Sequence, residues 1–302
     1  MWSSFGGFLM VTVAGLLWIG VGVAVSRCSA RGWNYSIAQG FSCLGAVLIC
    51  GAILAAGRSR PGAAEFSRFG FVISCLAGVA NFYTNILVAQ AMRRGPNGLV
   101  WGIVESALIG PFLMGVIFFG EKPGMIQLAG LLLILGGVLA MGVAKDEKNP
   151  GRRKGWLALA FGALLLAMTT QCCNTLPSYF PEMGSNDAVV RTCGLYSGGA
   201  IGFALTTLPG MIRRRDFGGR GEWTIAAILM VLNTSAGLFF FYRGMDLLVE
   251  IGLAGLGCPL AIGVCVIGFS LYSLLILKEK CARASLAGLG AVCLGIILIA
   301  IR

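Results

Sequence analysis

The feature that most constrains this chain is a series of apolar runs, each about 20 residues long, that recurs along the whole sequence. A run of that length, wound as an α-helix, spans the hydrocarbon core of a bilayer. Only 12% of the residues are charged, whereas a soluble domain carries about a quarter. The sequence therefore predicts an all-α membrane protein.

Ten runs fit a membrane span, and the breaks between them carry charges, glycine or proline. The connections are short, so helices that follow each other in sequence are expected to be neighbours in space. The ten predicted transmembrane helices cover residues 5–26, 34–56, 69–92, 98–119, 125–144, 155–173, 188–210, 223–243, 251–277 and 283–301.

The net charge of +11 lies in short clusters between the apolar runs. No basic face with interleaved aromatic residues is present, which argues against nucleic acid as a partner. The loops after segments 1, 3, 5, 7 and 9 hold sixteen lysines and arginines, and the other loops with both tails hold six. By the positive-inside rule, both termini should face away from the cytoplasm. The protein itself is expected in the cell (inner) membrane.

The chain has no histidine, and its eleven cysteines form no CxxC pair. Histidine-based acid–base chemistry and histidine metal sites are therefore excluded. Most cysteines lie within apolar runs, where thiols act as small packing residues. The sequence predicts no enzyme, no metal and no cofactor.

Two stretches of the chain repeat each other. "EKPGMIQLAGLLLILGGVLAM" (121–141) and "EKCARASLAGLGAVCLGIILI" (279–299) share Glu-Lys, Leu-Ala-Gly-Leu and a later glycine at the same spacing. A five-helix unit, 1–146, followed by a second, 147–302, accounts for ten helices. Because five is odd, the second unit enters the membrane inverted, as in carriers that work by alternating access.

These stretches, extended to "FFGEKPGMIQLAGLLLILGGVL" and "LILKEKCARASLAGLGAVCLGIIL", resemble the closing pattern of each half in the drug/metabolite transporter superfamily. Lys278 stands where that pattern usually has a small residue. The resemblance extends over the whole chain in helix number and repeat length. The start "MWSSFGG" and the region around "GLVWGIVESALIG" are similar to the branch of bacterial glucose, ribose and rhamnose porters. The resemblance implies ten helices in two inverted repeats and a transport function.

Glu105 is the acid within the fourth predicted helix, in "LVWGIVESALIGPF". It lies seven residues into the helix, about 10 Å from the end. An ionised carboxylate facing lipid there costs about 2.5–3.5 kcal/mol, so the side chain should face the bundle interior. There it is a candidate coupling residue for a proton or a monovalent cation. The alternative is a neutral carboxylic acid hydrogen-bonded to a neighbouring helix.

Amide and aromatic side chains recur inside several predicted helices, and lipid offers them no hydrogen-bond partner. A hydrogen bond to a neighbouring helix would account for any one of these side chains by itself. Together they predict a polar cavity with aromatic walls, suited to a sugar-like solute. The candidate substrate-binding residues are Trp101, Asn81, Asn85, Tyr83, Gln39, Gln171, Asn174, Asn233, Tyr242 and Trp18.

The remaining charges lie near helix ends. Asp187 and Arg191 are expected to form an interfacial ion pair, and Glu121 and Glu279 to cap helix ends. Because we place no lysine or arginine deep in a helix, the sequence disfavours anionic substrates.

The leading prediction is a monomeric secondary transporter that imports a small polar organic solute by alternating access. Export of amino acids, metabolites or amphipathic and cationic compounds is the second interpretation. A scaffold or receptor without transport activity is an alternative of another class, although a scaffold needs no buried polar set.

Overall fold

The computed structural model describes most of the chain, and within that part it has thirteen α-helices and no strand. The described residues are 2–58, 67–120, 122, 124–143, 155–180, 187–250, 254–279 and 282–300. The helices, in chain order, are α1 (Trp2–Ala30), α2 (Tyr35–Arg58), α3 (Arg68–Met92), α4 (Asn97–Glu105), α5 (Ile109–Phe118), α6 (Met125–Val143), α7 (Trp156–Thr175), α8 (Ala188–Thr206), α9 (Leu208–Arg214), α10 (Arg220–Ser235), α11 (Tyr242–Glu250), α12 (Ala254–Leu271) and α13 (Arg283–Ala300).

Several of these helices are continued by turns of a different pitch. A 3₁₀ turn at Ser106–Leu108 joins α4 to α5, and another at Leu176–Tyr179 follows α7. A π-helical turn at Ala236–Phe241 joins α10 to α11, and a second at Tyr272–Ile276 follows α12. The α4–α5 and α10–α11 pairs are therefore continuous segments with a local change of pitch.

Seven helical segments of the described chain are long and apolar enough to cross a membrane, which makes this a multi-pass membrane protein. Three further helices are apolar but shorter, and they cover Met125–Ala140, Leu260–Ile276 and Leu286–Leu298. The seven long segments are Gly6–Ala30, Tyr35–Gly57, Arg68–Met92, Asn97–Phe118, Trp156–Tyr179, Ala188–Thr206 and Arg220–Leu248.

Several predicted segments differ from the structure at their ends, and two of these differences have a clear local cause. The segment predicted over 188–210 ends at Thr206, and Pro209 lies in the first turn of the separate helix α9. The segment predicted over 223–243 continues through α11 to Glu250. There the charged residues Arg243 and Asp246 are accommodated on a helix with a polar and an apolar face.

Small residues allow the helices to approach closely. α3 packs against both α7 and α8, and α1 packs against α12 and the α10–α11 segment. At the α3–α8 crossing, a Cβ on Gly78 would overlap the carbonyl oxygen of Leu195, and a Cβ on Gly198 would overlap that of Cys75. This contact of two backbones is typical of helices packed in membranes.

The contact between α6 and α13 is reciprocal. Gly137 packs against Gly288 and Val292, while Gly295 packs against Gly130 and Ile134. A Cβ on Gly137 would lie 2.5 Å from the carbonyl oxygen of Gly288, and a Cβ on Gly295 would lie 2.5 Å from that of Gly130. Residues 130, 134 and 137 of α6 correspond to residues 288, 292 and 295 of α13, because each pair of positions is 158 residues apart in the sequence.

One end of the helix bundle, here called the basic end, comprises the described residues of 27–34, 93–97, 207–222 and 278–283. Arg93 donates a hydrogen bond to the carbonyl oxygen of Trp33. The backbone N–H of Asn34 donates to Oε1 of Glu222 (3.1 Å), which ties the start of α2 to the start of α10. Polar contacts thus hold the helix ends together here.

Glu279 also lies at the basic end, and it caps the N-terminus of α4. Its carboxylate accepts from the backbone N–H of Asn97 (2.9 Å) and of Gly98 (3.2 Å), and from the hydroxyl of Ser273. The capped helix belongs to the first half of the sequence, whereas Glu279 belongs to the second. Glu121 lies outside the described residues.

Aromatic rings hold helices together at the opposite end. Phe119, after α5, stacks on Tyr179, after α7, with ring centroids 3.8 Å apart and planes 4° from parallel. Phe180 meets Phe119 and Phe69 edge-on, at 5.9 and 5.6 Å. Polar contacts therefore join the helices at the basic end, and aromatic contacts join them at the opposite end.

Candidate functional site

A cavity of about 150 Å³ lies between the helices, and its walls combine amides, hydroxyls, aromatic rings and one carboxylate. Its described lining comes from α1, α3, α4, α7, α8 and the α10–α11 segment. The lining residues are Trp18, Val21, Asn81, Asn85, Trp101, Glu105, Thr170, Gln171, Asn174, Thr192, Leu195, Tyr196, Asn233, Gly237, Phe241 and Tyr242.

The cavity brings together nine of the eleven residues that the sequence singled out. They are Glu105, Trp101, Asn81, Asn85, Gln171, Asn174, Asn233, Tyr242 and Trp18. They come from five separate stretches of the chain, so the fold, and not the local sequence, brings them together.

The amides of the cavity are partly paired with one another. On α3, Nδ2 of Asn85 donates to the backbone oxygen of Asn81 (2.9 Å) and to its Oδ1 (3.0 Å), one turn away. On α7, Oδ1 of Asn174 accepts from the Tyr242 hydroxyl at 3.5 Å, which is a long hydrogen bond. Their remaining donors and acceptors are oriented by the helices and are available to a polar solute.

Glu105 is the last residue of α4, immediately before the 3₁₀ turn. Its carboxylate lines the cavity and accepts no hydrogen bond from the part of the chain that the structure describes. The thiols of Cys258 and Cys265 on α12 are close enough to interact with it electrostatically. This carboxyl group can therefore bind a proton or a cationic group from the cavity.

Aromatic rings form the apolar part of the wall. Trp101, one helical turn before Glu105, is 5% exposed and packs on Phe269 with ring centroids 5.1 Å apart. Trp18 of α1 packs on Phe241 at the same centroid distance. These contacts fix the two indoles on the cavity wall.

Two of the predicted residues lie outside the cavity. Gln39 is 3% exposed within α2, and its Oε1 accepts a 2.7 Å hydrogen bond from the Tyr35 hydroxyl. Tyr83, on α3, packs edge-on against Phe82 with centroids 5.6 Å apart. Gln39 thus accepts a hydrogen bond within its own helix, from Tyr35 one turn away, whereas the alternative to a cavity position was a bond between helices.

The sequence analysis did not single out Thr170 and Thr192 among the lining residues. The Thr170 hydroxyl donates to the backbone oxygen of Leu166 (3.0 Å), and the Thr192 hydroxyl to that of Ala188 (2.6 Å). Such bonds, one turn back along the helix, make threonine inconspicuous in an apolar segment. The position of Thr170 beside Gln171 was the available signal.

Arg191 differs most from its sequence-based expectation. Asp187 caps α8 by accepting from the backbone N–H groups of Val189 (2.7 Å) and Val190 (2.9 Å). Arg191 is 2% exposed; its Nη2 donates to the backbone oxygen of Asn174, and its guanidinium carbon lies 4.3 Å from the centroid of the Tyr242 ring. A buried arginine thus adjoins the cavity wall, which removes the argument against anionic substrates.

Within the described residues, no group of three or more histidine, cysteine, aspartate or glutamate side chains is arranged to hold a metal ion.

Comparison with known proteins shows the fold but no family. No family model matches the chain, and no curated protein matches it. Among solved structures, the chain is similar to one described only as "Crystal structure of protein", with 15% sequence identity and a TM-score of 0.58. The match covers 97% of this chain and 95% of the other, so the whole helical arrangement occurs in another protein.

Proposed function

We propose that this protein is a secondary transporter that moves a small polar organic solute across the membrane by alternating access. The observation that carries this proposal is a cavity with polar walls inside a chain of apolar helices. Polar groups within a membrane require hydrogen-bonding partners. Since the polar side chains of this cavity surround an open space, a bound solute is the partner that fits them best.

The proposed architecture is ten transmembrane helices in two inverted repeats, 1–146 and 147–302. Seven long spans and three shorter apolar helices make up that number. The reciprocal packing of Gly137 and Gly295 supports a two-fold relation between the halves, because an isologous contact repeats each interaction in both directions. Carriers with this symmetry bind their substrate between the repeats.

The resemblance to the drug/metabolite transporter superfamily agrees with this architecture. In the proposal, the basic end faces the cytoplasm and both termini face the other side of the cell (inner) membrane, because basic loops are retained on the cytoplasmic side. The protein acts as a monomer, since one chain supplies both repeats.

Glu105 is the proposed coupling residue, for a proton or a monovalent cation. A carboxyl group in a cavity of low dielectric constant favours its neutral form, and it ionises when water or a cation enters. Its position at the junction of α4 and the 3₁₀ turn supports this role, since a change of pitch there would move the carboxylate relative to the cavity.

The size of the cavity limits the substrate. Its volume of about 150 Å³ suits a small solute and not a large one. A sugar-like solute taken up by the cell is the first candidate, because amides and ring faces bind polyols. Export of amino acids, metabolites or cationic compounds is the second, favoured by the carboxylate of Glu105 beside the indole of Trp101.

Replacing Glu105 with glutamine tests the coupling. Proteoliposomes carry a trapped pH-sensitive dye, and a mixture of sugars, polyols and amino acids is added outside. The wild-type protein is expected to acidify the lumen as solute enters, and Glu105→Gln to abolish this acidification. Exchange of labelled solute without a gradient should persist in the variant, because glutamine keeps the shape and hydrogen bonding of the side chain.

The matched control is Asp216→Asn, an equivalent change at an exposed residue of the basic end. It should leave both assays unchanged. Uphill transport by Glu105→Gln equal to that of the wild type would contradict the coupling role. Absence of any solute flux in the wild-type protein would favour a scaffold or receptor.

A further inference from the structure

Arg191 is a buried cation that the coupling proposal does not use. It lies in the first turn of α8, in a segment apolar enough to cross a membrane, and only 2% of its surface is exposed. One guanidinium nitrogen, Nη2, donates to the carbonyl oxygen of Asn174. The guanidinium carbon lies 4.3 Å from the centroid of the Tyr242 ring.

The other donors of this guanidinium are unfilled. Nε and Nη1 are both buried and have no hydrogen-bond acceptor within the described residues. Asp246 of α11 attracts the group electrostatically, which offsets part of its charge but fills neither donor. Because a buried charged donor without an acceptor is strongly unfavourable, its retention indicates that an acceptor binds there in another state of the protein.

The Arg191 side chain contacts the wall of the cavity. Both residues that hold Arg191 in place, Asn174 and Tyr242, line the cavity, and so does Thr192, the next residue along α8. Tyr242 follows the π-helical turn Ala236–Phe241, and such turns are frequent at functional sites. Movement of this ring would connect the guanidinium with the solute space.

We propose that Arg191 forms a carboxylate-binding subsite of the cavity, so that the transported solute carries a carboxylate group. Guanidinium N–H groups match carboxylate oxygens in geometry and charge, and desolvation strengthens the pairing. This inference rests on the proposed transport function and specifies the chemical class of its substrate.

The carboxylate could belong to a zwitterion or to a sugar acid. Glu105 lines the same cavity, so an ammonium group on the solute would find a carboxylate to pair with. A sugar acid or hydroxy acid would use the amides and threonine hydroxyls of the wall instead. The two sources share the Arg191 contact and differ in their use of Glu105.

The first test needs only the wild-type protein and matched pairs of solutes. Each pair differs in the carboxylate: alanine against alaninamide, and gluconate against sorbitol. Binding to purified protein is measured by the fluorescence of the tryptophans, two of which line the cavity. At least one carboxylate should bind about tenfold more tightly than its partner, a difference of about 1.4 kcal/mol in binding free energy. Equal binding within both pairs would overturn the proposal.

The second test changes the arginine. Arg191→Gln should remove the tenfold preference, and Arg191→Lys should retain part of it, because lysine keeps the charge but not the planar donor set. Arg243→Gln, at an exposed arginine of α11, is the control and should keep the full preference. A preference unchanged in Arg191→Gln would also overturn the proposal. If neither Arg191 variant folds, the solute pairs alone decide.

The outcomes separate this inference from the transport proposal. Glu105-dependent transport of sorbitol, with no preference for gluconate, would overturn the carboxylate subsite and leave the transporter standing. Absence of binding and transport for every solute would count against both. A preference for alanine over lactate would identify a zwitterion that also uses Glu105, and equal binding of the two would identify the carboxylate alone; both support the Arg191 contact.

Discussion

At the scale of single residues, the packing of the helices around the cavity depends on the positions of glycines as well as on the positions of charged residues. Glu105 on α4 lines the cavity and Arg191 on α8 adjoins it, and the helix bundle around this cavity depends on close approach of its helices. Glycines make that approach possible at the α3–α8 crossing and between α6 and α13. A methyl group at such a position has no space, whereas the same change on an open helix face is harmless.

Gly137→Ala and Gly295→Ala are expected to destabilise the protein by similar amounts. Each new Cβ would lie 2.5 Å from a carbonyl oxygen of the facing helix, and overpacking of this kind costs about 1–3 kcal/mol. The unfolding temperature of the purified protein in detergent measures the effect.

Gly136→Ala, at the preceding position, is the matched control for that prediction. A Cβ there meets nothing within 4 Å, and alanine favours helix over glycine by about 1 kcal/mol. Its unfolding temperature should stay the same or rise. Equal losses in Gly136→Ala and Gly137→Ala would contradict the close packing of α6 on α13.

At the scale of secondary-structure elements, interruptions of the helices coincide with positions that line the cavity. α4 ends at Glu105, and the π-helical turn between α10 and α11 includes the lining residues Gly237 and Phe241. The end of the α12 segment is joined to the start of α4 through Glu279. The helix that carries Glu105 is therefore fixed at its N-terminus by a carboxylate from the other half of the chain.

Glu279→Ala should weaken this attachment. The change removes the acceptor of the Asn97 and Gly98 N–H groups and a negative charge from the N-terminus of α4. Hydrogen bonds to a charged group contribute about 1.5–3 kcal/mol, so a clear fall in the unfolding temperature is expected. Glu279→Gln, which keeps one acceptor oxygen, should lose less.

Lys278→Ala is the control for Glu279, because this exposed neighbour should tolerate the change. An equal fall in unfolding temperature for Lys278→Ala and Glu279→Ala would show that the cap contributes nothing specific.

At the scale of the whole molecule, hydropathy predicted the helices well but not the directions of their side chains. The limits of α3, predicted over 69–92 and observed over Arg68–Met92, follow from the charges that end the apolar run. α2 and α8 have no distinct polar face, so the sequence does not show which of their residues point inward. Gln39 was therefore expected at the cavity although it pairs with Tyr35, and Arg191 was expected in an interfacial ion pair although it is buried.

The proposed topology gives a prediction at the same scale. Arg31→Cys, at the basic end, should react with a membrane-impermeant maleimide only after the cells are permeabilised. Lys122→Cys, in the connection between α5 and α6, should react in intact cells. Both positions are exposed, so a difference in labelling reports the side of the membrane.

The unmodified protein gives the labelling background from its own cysteines, and those of the described residues are buried or only partly exposed. Reaction of Arg31→Cys in intact cells would reverse the proposed orientation of the chain.

The separation between the α6–α13 contact and the cavity has a consequence for how such a protein can evolve. The described lining comes from other helices, each of which contributes only a few side chains. In the proposed transporter, a single substitution at a lining position can alter which solute the cavity binds without disturbing the glycine contact between α6 and α13. Selection can therefore adjust specificity one residue at a time, with little effect of each change on the stability of the helix bundle.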